Sequence, residues 1–179
     1  MTRHMHEGNM KKHFALILTL IIMTAALCSC GFVTSDGTDS IPAFTSYDLE
    51  GNEVDSSIFA NADITVVNIW GTFCDPCIDE MPALAEWDAE LPDNVQIVGI
   101  VSDVPETSGS EYAAAQRIVA DSGVKFTNII AAGELAEFMK KVRMFPTTLF
   151  VDSNGKFVHD PFVGADVGGY KDVIKSLTK

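Results

Sequence analysis

The sequence predicts an α/β fold, one sheet covered by helices on both faces. Three observations carry this. Ile64–Trp70 and Val95–Val101 are near-continuous apolar, β-branched runs, as strands buried on both faces require. Segments with helical spacing alternate with them. A pair of strand-like runs around Ser153-Asn154-Gly155 then reads as a hairpin.

Taken in order, Phe44–Leu49 alternates, Gly51-Asn52 turns, and Glu53-Val54 returns, which predicts a small N-terminal hairpin. The buried strand Ile64–Trp70 follows. Residues 75–90 place Ile78, Met81, Leu84, Ala85, Trp87 and Leu91 at helical spacing, with Pro82 removing one backbone donor inside. After the strand Val95–Val101, a polar loop at 103–110 leads to a helix near 111–121. Residues 126–130 read as a short strand and 133–142 as an amphipathic helix. Thr147–Asp152 and Lys156–His159 form the predicted hairpin, and residues 167–178 close the chain as a helix.

The chain has 179 residues, enough for one domain and a leader, and 47% are hydrophobic, which excludes whole-chain disorder. The formal net charge is −13. The first 29 residues hold three of the cations (Arg3, Lys11, Lys12) against Glu7 alone, so the remainder is more acidic still. Such a chain repels phosphates, so no nucleic-acid partner is expected.

The start of the chain reads as an address. Its basic residues precede an unbroken apolar run, Phe14–Leu27, too short to span a bilayer and typical of a secretory signal. Leu27-Cys28-Ser29-Cys30 resembles the lipobox of bacterial lipoproteins, with Leu27 and Ser29 fitting Cys30 better than Cys28. The resemblance implies cleavage before Cys30 and lipidation of its sulfur. Two or more acyl chains anchor durably. An uncleaved signal anchor is the alternative. The expected organisation is a lipoprotein signal peptide at 1–29, a lipidated tether at 30–40 and a folded domain at 41–179.

Four cysteines are present, and this processing leaves Cys74 and Cys77 in the domain. A bridge closing so short a loop adds little stability through chain entropy. The pair sits where a strand runs into a helix, the setting of a redox motif. Unpaired N–H groups and the positive dipole end at a helix start favour a thiolate at Cys74. Cys77 lies one turn in and can attack a mixed disulfide on Cys74. Structural zinc takes four Cys or His ligands, and beyond the pair the domain offers only His159. No metal and no separate cofactor is expected; the redox-active disulfide Cys74–Cys77 does the chemistry.

The segment from Trp70 through Pro82 resembles the TlpA/ResA-like branch of the thioredoxin superfamily. Val67-Asn68-Ile69-Trp70, Cys74-to-Cys77, Glu80-Met81-Pro82 and Phe145-Pro146-Thr147-Thr148 match, over roughly residues 41–178. The resemblance implies a thioredoxin-like fold: a central mixed β-sheet flanked by helices, here with an N-terminal β-hairpin extension. It implies an extracytoplasmic, membrane-tethered thiol–disulfide oxidoreductase that reduces disulfides in exported clients such as apocytochrome c. Its electrons come from a membrane donor of thiol-transporting type. Pro146 takes the place of the family's cis-proline, and Phe145 that of the residue whose backbone pairs with a client strand. Trp70, Asp75 and Pro76 join Phe145 as expected client contacts. Glu80 matches the carboxylate that this branch uses where cytosolic thioredoxins have a buried aspartate, a place held here by Asn68. A partly buried glutamate on the Cys77 face has a raised pKa and can relay the Cys77 proton.

Direction of transfer follows from charge. The helix start favours a Cys74 thiolate by ~1–2 kcal/mol. A carboxylate about 7 Å away opposes it by ~0.6 kcal/mol in water-like surroundings, and both Asp75 and Glu80 act in that sense. A weakly acidic Cys74 makes a poor leaving group, which favours a reductase over an oxidant. A copper chaperone of the same fold is the alternative from another class, set apart by a Cys-x-x-x-Cys pattern and a distal histidine. A peroxidase is disfavoured because no Pro-x-x-x-Thr-x-x-Cys pattern surrounds Cys74. A silent binding domain is disfavoured because both cysteines are intact.

Overall fold

The computed structural model describes residues 39–179. The signal segment, Cys28, Cys30 and most of the tether lie outside the described residues. Seven strands are described: β1 (Thr45–Tyr47), β2 (Glu53–Asp55), β3 (Ile64–Trp70), β4 (Val95–Val101), β5 (Asn128–Ile130), β6 (Thr147–Asp152) and β7 (Phe162–Val163). The helices are α1 (Asp75–Asp88), α2 (Gly109–Asp121), α3 (Glu134–Met139) and α4 (Val167–Leu177).

The main sheet has the order β5-β4-β3-β6-β7. β3 pairs in parallel with β4 and antiparallel with β6, so the sheet is mixed as expected. All seven residues of β3 are buried, which is why its sequence is apolar on both faces. Alternation then sorts its side chains. Ile64 and Val66 pack with Leu84 and Trp87 of α1 and with Tyr170, Val173 and Ile174 of α4. Val67 and Ile69 face the other way, onto Leu135, Phe138 and Met139 of α3 and Phe44 and Phe59. Asn68 shares the even-numbered face, which turns it toward α1.

The N-terminal hairpin forms as expected. The Asp48 carboxylate closes its turn by accepting from the backbone N–H groups of Glu50 (3.0 Å) and Asn52 (2.7 Å). Gly51 sits there at φ 84°, a conformation that only glycine adopts without strain. The hairpin lies beside β5, where Ser46 Oγ donates to the Ile130 carbonyl at 2.8 Å. A 3-10 helix at Ser56–Asn61, opened by an Asp55 cap, was not anticipated.

The predicted second strand at 156–159 is corrected. Lys156 and Phe157 make only isolated bridges, one to Ser40 and one to Val151. The segment entering at Asp39–Ile41 takes their outward groups: Phe157 N donates to the Asp39 carbonyl (2.8 Å) and Ile41 N to Gly155 (2.9 Å). The chain leaves the sheet there and returns as β7, paired with Thr147 and Thr148. The helix expected at 133–142 is also shorter, ending at Met139.

Candidate active site

β3 delivers the site to the helix start. Beyond Trp70, the Cys74 N–H donates to Gly71 (3.1 Å), and the Cys74 carbonyl accepts from Cys77 and Ile78 (both 3.1 Å). Cys74 is therefore the N-cap of α1, with Asp75 and Pro76 in the first turn. No side chain caps that end; Pro76 has no N–H and the Cys77 and Ile78 N–H groups bond to the Cys74 carbonyl, so the sulfur sits at the positive end of the helix dipole. The cysteines form a disulfide with an S–S length of 2.07 Å. Cys74 is 6% exposed and Cys77 0%, so Cys74 is the outer sulfur. Across the loop, the Asp103 carboxylate accepts from both the backbone N–H (3.0 Å) and the hydroxyl of Thr72.

The second wall comes from the approach to β6. The Phe145–Pro146 bond is cis. Phe145 packs against the cluster that contains both cysteines. Its ring also meets Phe73 edge-on at 5.6 Å, joining the residue before Cys74 to the residue before Pro146. Phe73, next to Cys74 in the chain, is 64% exposed, and Met144, next to Phe145, is 62% exposed, so both segments present apolar side chains to solvent. The Pro146 carbonyl accepts from Gly164 N at 2.9 Å, which ties this loop to the turn before α4.

Beneath the cysteines lies a polar network in an apolar core. Glu80 is 6% exposed. Asn68 Nδ2 donates to Glu80 Oε1 at 2.8 Å and approaches Thr148 Oγ1 at 3.2 Å. Tyr170 Oη lies 3.1 Å from Glu80 Oε2. Burial pushes the Glu80 carboxyl above its usual 4.5, outweighing the lowering by the Asn68 and Tyr170 hydrogen bonds; the Asp166 charge adds to the rise. Burial likewise drives the Tyr170 phenol up to about 12.

This geometry sets a helix-start disulfide, a cis-proline loop and a buried carboxyl together, and the sequence agrees with it at family level. The family model described as Redoxin matches residues 37–174. The chain belongs to the Redoxin family. It is 25% identical over 161 residues to the thiol-disulfide oxidoreductase ResA of Bacillus subtilis, covering 83% of this chain and 86% of that protein. It is 28% identical over 116 residues to the ResA of Halalkalibacterium halodurans, where the match covers 64% of this chain. There the chain spans 62% of its relative's length, just under two thirds. In fold it is similar to the thioredoxin domain of a thiol-disulfide oxidoreductase from Bacteroides vulgatus. That likeness has a TM-score of 0.61 at 23% identity, over 76% of this chain and 94% of that one.

Within this Redoxin-family site the structure brings Cys74 and Cys77 together at the start of α1, with Phe145 packed on their cluster beside Pro146 and Glu80 one turn further along the helix. Asp75 and Pro76 are exposed on the first turn. Trp70 is a correction. It is fully buried, and its indole N–H donates to Asn128 Oδ1 at 2.9 Å, so it braces the sheet and is closed to a client. Three residues escaped the sequence reading. Phe73 and Met144 were detectable as bulky apolar side chains next to Cys74 and Phe145. Tyr170 stands 90 residues from Glu80 and carries no local signal. His159 sets its Nδ1 2.7 Å from the Asp160 carbonyl and its ring edge-on to Phe150. Among the described residues no three His, Cys, Asp or Glu side chains gather to hold a metal, and the copper-carrying alternative is not favoured.

Glu80 makes the fold sensitive to pH. Its carboxyl is raised in the folded state, so the native protein keeps a proton that the unfolded chain has released. The sign is that stability falls as pH rises from about 4.5 through the raised value. In denaturant melts of the oxidised protein, Glu80→Gln is expected to flatten this slope. Parallel pH profiles for the two proteins would show that Glu80 is not held protonated.

Proposed function

We propose that this chain is an extracytoplasmic thiol–disulfide oxidoreductase that reduces disulfides in exported client proteins. The observation that carries the reading is the Cys74–Cys77 disulfide at the start of α1, its outer sulfur bordered by Phe73 and the cis-Pro146 loop. Kinship with proteins named thiol-disulfide oxidoreductases supports it.

In the reduced enzyme the Cys74 thiolate attacks one sulfur of a client disulfide. The client's other sulfur leaves as a thiolate and takes a proton from solvent. Cys77 gives its proton to the Glu80 carboxylate and attacks the Cys74 sulfur, which releases the second client sulfur as a thiolate that takes a proton from solvent. Two electrons have passed to the client and the enzyme holds a disulfide. A membrane electron donor of thiol-transporting type returns it to the dithiol. The backbone at Phe145 and the exposed Asp75 and Pro76 hold the client.

The potential tests the direction. Asp75 and the buried Glu80 offset the helix dipole at Cys74, so we expect a value nearer the roughly −270 mV of thioredoxin than the roughly −120 mV of a strong oxidant. Equilibration with graded dithiothreitol or glutathione measures it. A value above about −170 mV, with Cys74 titrating below about pH 5, would make this an oxidant.

Location is the second part of the proposal. The basic leader, the apolar run Phe14–Leu27 and the fit of Leu27 and Ser29 support a lipoprotein acylated at Cys30 and held at the outer face of the cell membrane. Mass spectrometry of the mature N-terminus is expected to find a diacylglyceryl group on Cys30. A soluble product with an unmodified N-terminus elsewhere would refute the anchor.

A further inference from the structure

Tyr170 reaches the site from α4 and is fully buried, its ring edge-on to Phe150 and Phe162. Two acceptors compete for its hydroxyl. The Gly164 carbonyl lies 2.7 Å away and Glu80 Oε2 3.1 Å away. A third neighbour, the Asp166 backbone N–H, donates to the phenol oxygen at 3.2 Å. A phenol has one hydrogen and cannot serve both acceptors at once. The shorter contact gives that hydrogen to Gly164. The phenol oxygen and Glu80 Oε2 then face each other with no phenol hydrogen between them. An ionised Glu80 makes that contact repulsive, while a protonated Glu80 closes it with its own hydrogen. Gly164 cannot readily retreat, because its N–H is held by the Pro146 carbonyl. The cysteines in this arrangement are joined, the state in which, by the mechanism proposed above, Glu80 has received the Cys77 proton.

We propose that Tyr170 is a two-position hydrogen-bond switch that holds Glu80 as an acid in the disulfide state and as a carboxylate in the dithiol state. The inference rests on the oxidoreductase reading above. In the disulfide state the phenol donates to Gly164 and Glu80 donates to the phenol oxygen. In the dithiol state the phenol hydrogen turns to Glu80 Oε2, beside the Asn68 amide on Oε1. Only one proton changes owner, between Cys77 Sγ and Glu80; the phenol keeps its own and rotates. Tyr170 is thus a positioning residue. The other groups facing the pair are Cys77 one turn back on α1, Asn68 on β3, Thr148 on β6 and the Asp166 carboxylate at the start of α4. His159 stands behind Phe150, one ring removed.

The test is infrared difference spectroscopy of the disulfide and dithiol forms, with the Glu80 acid C=O band assigned by its loss in Glu80→Gln. In the unaltered protein the band should persist above pH 4.5 in the disulfide form and vanish on reduction at the same pH. Tyr170→Phe keeps the ring and removes the hydroxyl. It should shift the band to higher frequency. It should also move the acid limb of the rate profile for client reduction upward by about one to two pH units, because the reduced-state carboxylate loses a donor. In the Glu80→Gln background Tyr170→Phe should leave the profile where Glu80→Gln put it. A band absent from the disulfide form of the unaltered protein overturns the switch. So does a rate loss in Tyr170→Phe with band and limb unmoved, the mark of a merely structural role. If the protein reduces no disulfide while the band behaves as described, the oxidoreductase reading fails and the switch stands.

Discussion

Replacing Cys77 with alanine is expected to stop turnover after the first half-reaction and leave the client bonded to Cys74. Cys74 is the outer sulfur and Cys77 is fully enclosed, so the client meets Cys74 first. The backbone bonds from Cys77 and Ile78 to the Cys74 carbonyl hold the second sulfur one turn inward. Resolution by a tethered neighbour enjoys effective molarities of at least ~10⁵ M in well-oriented systems. External thiols at millimolar levels cannot replace it, and a fall in release rate of at least ~1000-fold is expected. Non-reducing gels and mass spectrometry of the trapped species measure this. Cys74→Ala should give no adduct. An adduct through Cys77 in that variant, or turnover by Cys77→Ala near the parent rate, would reverse the assignment of the two sulfurs.

Gly99→Ala should be among the most damaging small substitutions in the domain, although Gly99 takes no part in the chemistry. Gly99 lies in β4 opposite Asn128 of β5. The Asn128 side chain crosses the bare glycine to accept the Trp70 indole hydrogen at 2.9 Å. A Cβ at Gly99 would sit 1.9 Å from Asn128 Oδ1 and 3.3 Å from Trp70 Nε1. The strand cannot open, because Gly99 N also donates to Thr127 at 2.9 Å. Overpacking costs about 1–3 kcal/mol, and a stranded buried donor roughly 1–3 kcal/mol more. A loss of about 3 kcal/mol in urea unfolding is expected. The same change in an Asn128→Ala background should cost far less, since the clash is then gone. A Gly99→Ala protein within about 0.5 kcal/mol of the parent would show that the sheet absorbs the methyl.

These examples mark what the residue order discloses. The buried runs of β3 and β4 are readable because a strand covered on both faces is apolar throughout. The redox pair is readable because Cys74 and Cys77 act within one helical turn. Pro146 was found through resemblance, since nothing local separates a cis proline from a strand-opening trans one. The bonds between Asn128 and Trp70, between Thr148 and Asn68 and between Tyr170 and Glu80 were invisible. Their partners lie 58 to 90 residues apart, and each looks locally like an ordinary polar or core position. Trp70 misled because an aromatic beside a redox motif is equally at home on a rim or in a core. The segment at 156–159 misled because its turn is genuine, with Asp152 Oδ1 accepting from Asn154 N (2.8 Å) and Lys156 N (3.0 Å). A turn determines reversal but not how long two strands stay together.

The position of β3 at the centre of the sheet has a consequence for assembly. Its partner on one side, β4, comes next among the strands, but its partner on the other side is β6, as in the pairing of Thr65 with Val151. A chain cut before Thr147 has both thiols and the helix that carries them, yet one edge of β3 is bare. A bare, apolar edge invites pairing with any passing strand. The same cut also removes Thr148 and Tyr170 from beneath Glu80. The reactive pair is therefore made early and sheltered late, and the chain from Thr147 onward acts as its housing as much as its scaffold.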